Sequence, residues 1–334
     1  MRRLAAVLIL LALAVSAGWA RAAQERLFVR SRYLMGTLVE IKARGEDEAA
    51  TQRAINEAFD EIARLDRLMS HWRDDSQVAR INAEAGKAPV VVAPEVLEVI
   101  RRALGASRVT GGAFDITAAS VGVLWQIDGE NPRVPSKAEI RSALPNVGWR
   151  HVRIDEKKGT VYLDSSGVRI SLGGIAKGYA VDRATDILRS RGVRSAILTA
   201  GGDSGIVGRD GDHPWRIGIR HPRATDRTLA WFDVTDTTVH TSGDYERFMM
   251  VKGKRYGHIL DPSTGWPVSK ARSVTVITTD GTLGDALATG IFVMGPGQGL
   301  RLAGSLPGVE ALIVDTRGKV TMTPGLRGRA HLTP

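Results

Sequence analysis

The fold is decided by a stretch near the middle of the chain, which reads Ser171-Leu-Gly-Gly-Ile-Ala-Lys-Gly-Tyr-Ala-Val-Asp182. The pattern predicts a short apolar strand that runs through two glycines and a lysine into the first turn of a helix. Glycines let the main chain approach a phosphate closely, and the amides at a helix start attract anions together with the Lys177 ammonium. We therefore expect an anion site, with a tight packing corner as the alternative. The spacing matches neither G-x-x-x-x-G-K-[ST] nor G-x-G-x-x-G.

The N-terminus predicts export. Arg2 and Arg3 precede an apolar run over residues 4–17, and Ala20-Arg21-Ala22 has the small-x-small form that a signal peptidase accepts. We interpret residues 1–22 as a cleaved signal peptide and residues 23–334 as the mature domain. A membrane anchor is the alternative, although the run is shorter than the roughly 20 residues that a spanning helix needs. The chain has no cysteine, which excludes a lipid anchor on cysteine and a disulfide framework.

Charge and composition narrow the class of partner. Loss of residues 1–22 lowers the formal charge from +10 to +7, because it removes three arginines and no acid. The basic residues are scattered rather than gathered into a tract with aromatic residues. This pattern favours small anions or anionic surfaces and argues against a nucleic-acid partner. We expect a soluble protein in the periplasm or another extracytoplasmic compartment.

Hydrophobic periodicity predicts an α+β fold with several packed helices and no strict βαβ alternation. Helices are expected over about 47–69, from Pro94 onward, from Lys177 to about Arg191 with Gly192 as the stop, and over about 282–294. Strands are expected over 35–43, 195–199, 215–219, 229–240, 273–279, 310–315 and 319–323.

The late helix is predicted to carry oxygen ligands on one face. Asp285, Ala288 and Thr289 lie at positions i, i+3 and i+4 and should therefore face the same way. A carboxylate and a hydroxyl one turn apart suit a hard cation such as Mg²⁺, which shares its coordination shell with substrate phosphates. The alternative is a solvated face on which Thr289 bonds to its own backbone.

Two loops each offer a polar side chain with two interpretations. In Gly112-Ala-Phe-Asp-Ile-Thr117, Asp115 could bind the ring or ribose of a ligand, or could cap the helix that follows. In Tyr256-Gly-His-Ile-Leu-Asp-Pro-Ser-Thr-Gly265, His258 could act as a general base, since its ordinary pKa lies near neutrality. The alternative is a structural histidine beside a turn that Asp261 sets.

Two further positions suit a flat aromatic ligand. Met35, before Gly36 and Thr37, and Trp72, after Ser70 and His71, could pack against a ring, although both types are also ordinary core residues. The sequence contains no G-x-S-x-G nucleophile motif and no zinc signature. Residue types therefore favour hard-metal and phosphate chemistry.

Taken in order, these motifs resemble the ApbE family of FAD:protein FMN transferases. The resemblance covers essentially the whole mature chain. It rests on six motifs: Met35-Gly-Thr37, Ala113-Phe-Asp115, Leu172-Gly-Gly-Ile-Ala-Lys-Gly-Tyr-Ala-Val-Asp182, Gly201-Gly-Asp203, His258-Ile-Leu-Asp-Pro262 and Asp285-Ala-Leu-Ala-Thr289.

The resemblance implies an ApbE-like α+β fold that binds FAD as substrate and Mg²⁺ as cofactor. The residues that it implies for FAD are Met35, Trp72, Ala113, Phe114, Asp115, Ser171, Lys177, His258 and Ile259. For the metal it implies the side chains of Asp285 and Thr289 and main-chain carbonyls of Gly174 and Ala288. Trp72 and Ser171 depart from the family, which often has tyrosine and aspartate there, so the hydrogen bond from position 171 should be weak or absent.

The resemblance also implies a reaction. The FMN part of FAD would move to a threonine or serine hydroxyl of an acceptor flavoprotein, His258 would activate that hydroxyl, and AMP would leave. The implied acceptors are subunits of membrane electron-transfer complexes, which is compatible with an exported protein near a membrane surface. Two alternatives stay open: a Mg²⁺-dependent FAD pyrophosphatase that yields FMN and AMP, and a carrier that binds FAD without chemistry.

Overall fold

The structure is a computed structural model that describes residues 25–127 and 133–333. The signal peptide predicted over residues 1–22 lies outside the described residues, so its cleavage and the boundary at residue 23 stay predictions. Within the described ranges, no helix combines the length and the apolar character that a membrane crossing requires.

The described part of the chain forms eight α-helices and sixteen β-strands. The helices are α1 (Glu48–Met69), α2 (Gln77–Ala83), α3 (Pro94–Val109), α4 (Ala119–Gly122), α5 (Lys137–Ala143), α6 (Ala176–Ser190), α7 (Gly281–Met294) and α8 (Pro296–Ser305). The strands are β1 (Arg26–Leu34), β2 (Thr37–Gly45), β3 (Val90–Val91), β4 (Val152–Asp155), β5 (Thr160–Leu163), β6 (Ser195–Ala200), β7 (Asp203–Val207), β8 (Trp215–His221), β9 (Ala224–Val234), β10 (Thr238–Gly243), β11 (Phe248–Val251), β12 (Lys254–Gly257), β13 (Ala271–Thr278), β14 (Glu310–Asp315), β15 (Val320–Met322) and β16 (His331–Leu332).

An eight-stranded sheet in the order β1-β2-β6-β7-β10-β13-β14-β15 forms the centre of the fold. All of its neighbouring strands are antiparallel. Helices α1, α6 and α7 pack together on one face, while a three-stranded sheet in the order β16-β9-β8 covers part of the other face through Ile217 and Phe232. Two small sheets, β3-β5-β4 and β11-β12, are separate from the central sheet. The α+β class is confirmed.

The long helices begin and end where the sequence predicts. In α1 the Asp47 side chain accepts a hydrogen bond from the Ala50 N–H at 3.0 Å, and Ile55, Phe59 and Ile62 form part of its buried stripe. The residue predicted to stop α6, Gly192, has a φ of 83°, which a residue with a side chain rarely adopts. Local capping and periodicity therefore account for these elements.

Several strands differ from the prediction. No predicted range corresponds to β1, β3, β4, β5, β7, β11, β12 or β16. The strand expected over 229–240 is interrupted between β9 and β10, where Asp236 has a positive φ of 44°. Strand β7 was not expected, because its sequence Asp-Ser-Gly-Ile-Val begins with residues that favour turns. All five of its residues are nevertheless buried, since α6 covers one face of the strand.

The close crossing of α6 and α7 brings the predicted site together. A Cβ added to Gly178 would overlap the Gly281 carbonyl oxygen and would lie 2.7 Å from Cβ of Asp285. The Asp182 carboxylate accepts hydrogen bonds from the Gly281 N–H at 3.0 Å and the Thr282 N–H at 2.8 Å. Glycine at position 178 therefore allows the start of α6 to lie directly against the first turns of α7.

Candidate functional site

A lysine between two buried carboxylates forms the centre of the candidate site. Lys177, in the first turn of α6, pairs directly with Asp203 at the start of β7. Its Nζ also lies 4.0 Å from Oδ1 of Asp285 on α7. These two carboxylates raise the pKa of Lys177 above its ordinary value although burial opposes the charge, so the ammonium is charged at neutral pH.

Asp285 is a buried acid with a partly unmatched charge. The residue is 4% exposed, and its Oδ2 accepts a hydrogen bond from the Gly178 N–H at 3.0 Å. Burial, followed by the negative charge of Asp203, raises the pKa of Asp285 to about 6. A carboxylate in such surroundings gains most from a nearby cation.

Gly174 lies against Thr289, which follows Asp285 by one turn of α7. A Cβ added to Gly174 would lie 3.3 Å from Oγ1 of Thr289 and 3.2 Å from Cε2 of Phe114. The Thr289 hydroxyl is 3.3 Å from Oγ of Ser242 on β10. The structure therefore brings the residues predicted as metal ligands, Gly174, Asp285 and Thr289, to one place.

Ala288 contributes differently from the other residues of the late helix. The residue is 1% exposed, and its methyl group belongs to an apolar core cluster with Val274 and Ile313 of the central sheet. Only its main-chain carbonyl is left for a ligand, and the carbonyl contact stays a prediction.

The donor set can be tested for its fit to Mg²⁺. Over residues 25–127 and 133–333, no three His, Cys, Asp or Glu side chains form a group that could hold a metal ion. The candidate donors are one carboxylate, one hydroxyl and main-chain carbonyls, all of them hard oxygens. Such a set fits Mg²⁺ when phosphate oxygens of a substrate complete the shell.

His258 has one ring nitrogen held and the other available. Its Nδ1 lies 3.1 Å from the Arg247 carbonyl oxygen, which also accepts the His258 main-chain N–H at 3.1 Å. Because Nδ1–H donates to this carbonyl, Nε2 carries the lone pair. Burial of most of the ring, followed by the charge of Arg247 and that of Lys177, lowers the pKa of His258 to about 4. The imidazole is therefore neutral at neutral pH.

The residues after His258 shape a turn. Oδ1 of Asp261 accepts hydrogen bonds from the Ser263 N–H at 3.0 Å and the Ser263 hydroxyl at 2.6 Å. Its carbonyl accepts the Gly265 N–H at 2.8 Å, and the Ile259 carbonyl accepts the Val268 N–H at 2.9 Å. Asp261 thus sets the turn, as its structural interpretation predicts, and the FAD contact of Ile259 stays a prediction.

Met35 and Trp72 occupy unlike surroundings. Met35 lies at the tip of the β1–β2 hairpin with a φ of 52°, and its N–H donates to Oδ2 of Asp66 at 3.3 Å. Trp72 is 67% exposed and packs against the His71 ring at 4.6 Å, so it is not a core residue. The same His71 ring pairs through Nδ1 with the Ser171 hydroxyl at 3.1 Å. Trp72 and Ser171 therefore share a neighbour.

Asp115 acts as a cap. Its Oδ1 accepts hydrogen bonds from the Thr117 N–H at 2.8 Å and the Thr117 hydroxyl at 2.6 Å, and its Oδ2 accepts the Trp149 N–H at 2.7 Å. Burial raises its pKa although these bonds oppose the shift. Phe114 is buried beside Gly174, and Ala113 packs against the α7 and α8 core. FAD contacts of Ala113, Phe114 and Asp115 stay predictions.

Two grooves in the described surface lie away from this cluster. One of about 520 Å³ lies between α3 and β4, and one of about 390 Å³ lies beside α6 and the start of α7. Neither is lined by Lys177, Asp285 or His258. Charge and hydrogen bonding, rather than cavity size, therefore locate the candidate site.

Sequence reasoning missed three residues of the site. Asp203 belongs to the Gly201-Gly-Asp203 motif but was given no role, although it is 1% exposed and pairs with Lys177. His240 is fully buried, and its Nδ1 lies 2.9 Å from Oδ1 of Asp203. No local pattern marks His240 or Arg247, because both reach the site through strand pairing and a turn.

Comparisons with known proteins agree with this geometry. The sequence model of the ApbE family matches residues 35–313. An FAD:protein FMN transferase of Treponema pallidum is 34% identical over 327 residues, which cover 93% of this chain and 90% of that protein. Another from Klebsiella pneumoniae is 34% identical over 306 residues, covering 91% of this chain and 94% of that protein.

Solved structures share the fold. The crystal structure of an ApbE protein from Thermotoga maritima has a TM-score of 0.84 and 36% identity, covering 91% of this chain and 99% of that one. The flavin transferase ApbE from Vibrio cholerae has a TM-score of 0.80 and 29% identity, and the match covers 92% of this chain and 100% of that one. Family match, identity and fold lead to one conclusion: this chain belongs to the ApbE family.

Proposed function

We propose that this protein transfers the FMN part of FAD to a threonine or serine hydroxyl of an acceptor flavoprotein and releases AMP. Relatives over most of the chain are named FAD:protein FMN transferase, and a solved neighbour is named a flavin transferase. One observation carries the proposal: the Lys177 ammonium lies 4.0 Å from Asp285, while Gly174 lies against Thr289 on the same helix as Asp285. The charge of Lys177 also acts on His258, whose Nδ1 is held by the Arg247 carbonyl.

The diphosphate of FAD would bind at the start of α6. Lys177 supplies a full positive charge there, and Ile175, the residue at the N-cap of the helix, makes no side-chain cap. Helix amides and a lysine together stabilise phosphate oxygens. The adjoining Gly173 and Gly174 leave room for the main chain to approach the phosphates.

Asp285, Thr289 and the Gly174 carbonyl would hold Mg²⁺, with the Ala288 carbonyl as a further donor. When bound, the ion would supply positive charge for the diphosphate and for the charge that develops during phosphoryl transfer. The protein's own part is to keep Asp285 ionised and aimed, through the Gly178 N–H and the nearby Lys177 ammonium.

His258 would act as the general base. Its Nε2 accepts the proton of the acceptor hydroxyl, whose oxygen bonds to the phosphorus on the flavin side. The bond from that phosphorus to the AMP phosphate oxygen breaks, and AMP leaves with the electron pair. The pKa of His258 is lowered to about 4, so at neutral pH the ring is neutral, which is the form that accepts a proton.

The flavin ring would lie against Met35, Trp72 and Phe114. The exposure of Trp72 supports a stacking role, because an indole without packing partners on one side can accept a ring. Ala113, Asp115, Ser171 and Ile259 would complete the FAD contacts. The Ser171 hydroxyl is engaged by His71, so its hydrogen bond to FAD should be weak.

The acceptors would be flavoprotein subunits of membrane electron-transfer complexes, reached after export to the periplasm. A phosphoester link would prevent loss of the flavin outside the cytoplasm. Export by way of the predicted signal peptide and freedom from a lipid anchor belong to this proposal.

The test is to incubate the purified protein with FAD and Mg²⁺, with and without an acceptor domain, and to measure AMP and acceptor-bound flavin. A transferase releases AMP only with the acceptor and in equal amount to the bound flavin. Rapid release of AMP without acceptor would instead identify a FAD pyrophosphatase. No AMP under either condition would identify a carrier.

A further inference from the structure

A buried chain of polar and charged side chains runs from the central sheet to the candidate metal site. His240 on β10 and Asp203 on β7 are paired residues of neighbouring antiparallel strands, so their side chains lie on the same face of the sheet. Nδ1 of His240 binds one carboxylate oxygen of Asp203 at 2.9 Å, and Lys177 binds the other oxygen. Lys177 in turn lies 4.0 Å from Asp285.

His240 is placed to serve Asp203. The residue is fully buried, and within the described chain its Nε2 is a buried atom with no hydrogen-bond partner. A Cβ added to Gly284 of α7 would overlap Cδ2 of the ring and lie 3.1 Å from Nε2. The helix therefore clamps the ring, and the polar contact that it makes is the one to Asp203.

Lys177 has two carboxylates within reach and contacts one of them. If Asp203 lost its charge, the attraction to Asp285 would be left unopposed in a site of low dielectric. The 4.0 Å that separates Nζ from Oδ1 is short enough for a change of side-chain rotamer to close. Lys177 would then occupy a carboxylate that a metal ion needs.

We propose that Asp203, oriented by His240, is a positioning residue that holds Lys177 away from Asp285 and so leaves the Asp285 carboxylate open to a divalent cation. This inference rests on the proposed cation-dependent function. Neither Asp203 nor His240 touches the substrate; both act through Lys177.

The first test measures Mg²⁺ binding by calorimetry on the FAD-saturated protein without acceptor. Asp203→Asn should weaken Mg²⁺ binding at least about tenfold, because the freed Lys177 competes for Asp285. The double variant Asp203→Asn with Lys177→Gln should bind Mg²⁺ within about threefold of Lys177→Gln alone. A double variant as weak as Asp203→Asn would overturn the inference, since a merely structural Asp203 gives that result.

The second test uses His240, in case Asp203→Asn does not fold. The side-chain amide of asparagine can replace the Nδ1–H donor, whereas leucine cannot. His240→Asn should keep Mg²⁺ binding close to wild type, and His240→Leu should weaken it several-fold. Equal Mg²⁺ binding by the two variants would contradict the orienting role. Asp233→Asn, which removes a carboxylate paired with Arg216 on the β16-β9-β8 sheet, is the control and should leave Mg²⁺ binding unchanged.

A crystal structure separates this inference from the proposed function. In Asp203→Asn, Nζ of Lys177 should lie within hydrogen-bond distance of Asp285, whether or not the protein transfers flavin. If Lys177 keeps its wild-type position, the inference fails. If wild type releases no AMP from FAD and Mg²⁺ in the presence of an acceptor, the proposed function fails, and the position of Lys177 still decides the inference.

Discussion

Asp285 illustrates at the scale of one residue how burial prepares a carboxylate for a cation. Its pKa is raised to about 6, so its charge is poorly stabilised by the protein alone. Asp285→Ala should therefore lower Mg²⁺-dependent transfer at least about a hundredfold, since a metal supplies several kcal/mol of charge stabilisation. The measurement is acceptor-bound flavin at saturating FAD. Near-normal transfer by this variant would remove the assigned metal site.

His258 is expected to act on the rate rather than on FAD binding. Its Nε2 is available because Nδ1 is held by the Arg247 carbonyl. His258→Ala should slow transfer about 10²- to 10⁴-fold, the usual contribution of a general base. FAD affinity, followed by flavin fluorescence, should change little. Unchanged turnover would leave His258 with only its turn role.

The low pKa of His258 predicts the acid limit of the reaction. The base works in its neutral form, so transfer at saturating Mg²⁺ should persist below the ordinary histidine pKa of about 6.5 and fall as the pH approaches about 4. Arg247→Gln removes one of the charges that lower the pKa of His258. In this variant, the pH below which the transfer rate falls should therefore be higher than in wild type. The measurement is the single-turnover rate against pH, with Arg216→Gln on the β16-β9-β8 sheet as control. If the transfer rates of wild type and Arg247→Gln fall at the same pH, this account is contradicted.

Among the elements, the crossing of α6 and α7 depends on Gly178. A methyl group there would push on the Gly281 carbonyl and on Asp285. Gly178→Ala should lower the free energy of unfolding by about 1–3 kcal/mol, the usual effect of overpacking, and should reduce Mg²⁺ affinity. Thermal or urea unfolding measures the first effect and calorimetry the second.

The matched control is Gly105→Ala in α3. A Cβ at that position meets nothing within 4 Å beyond its own helix, so alanine should be neutral or stabilising by up to about 1 kcal/mol. If both variants change stability alike, close packing at Gly178 is not the reason for the glycine.

Local signals account for the elements that the sequence predicts. Asp47 and the apolar stripe mark α1, and Gly192 marks the end of α6. Strand β7 escapes such signals, because Ser204 and Gly205 favour turns, and its burial comes from α6. Tertiary packing overrides propensity there.

At the scale of the whole molecule, the α+β class follows from periodicity, whereas the order of strands does not. Strand β10 lies between β7 and β13, and no local pattern specifies such a neighbour. The site residues likewise divide into those that sequence motifs identify and those that only the structure identifies. Lys177 and Asp285 stand in readable motifs, but the pairing of Asp203 with His240 depends on strand register.

The predicted signal peptide makes the export of the whole chain testable. Its apolar run is shorter than the roughly 20 residues of a spanning helix, so cleavage is expected rather than anchoring. Protein expressed from the full sequence in a bacterial host should be found in the periplasmic fraction and should begin at Ala23. The measurement is N-terminal analysis by mass spectrometry. Uncleaved protein in the membrane fraction would support the anchor instead.

The central claim is that Asp285, Thr289 and Lys177 act together to pass FMN from FAD to a hydroxyl. The most direct measurement is the intact mass of a candidate acceptor flavoprotein after co-expression with wild type or Asp285→Ala, followed by peptide mapping. With wild type, the account predicts an added FMN in phosphoester linkage on a threonine or serine, and with Asp285→Ala an unmodified acceptor. Equal modification of the acceptor by both proteins would contradict it.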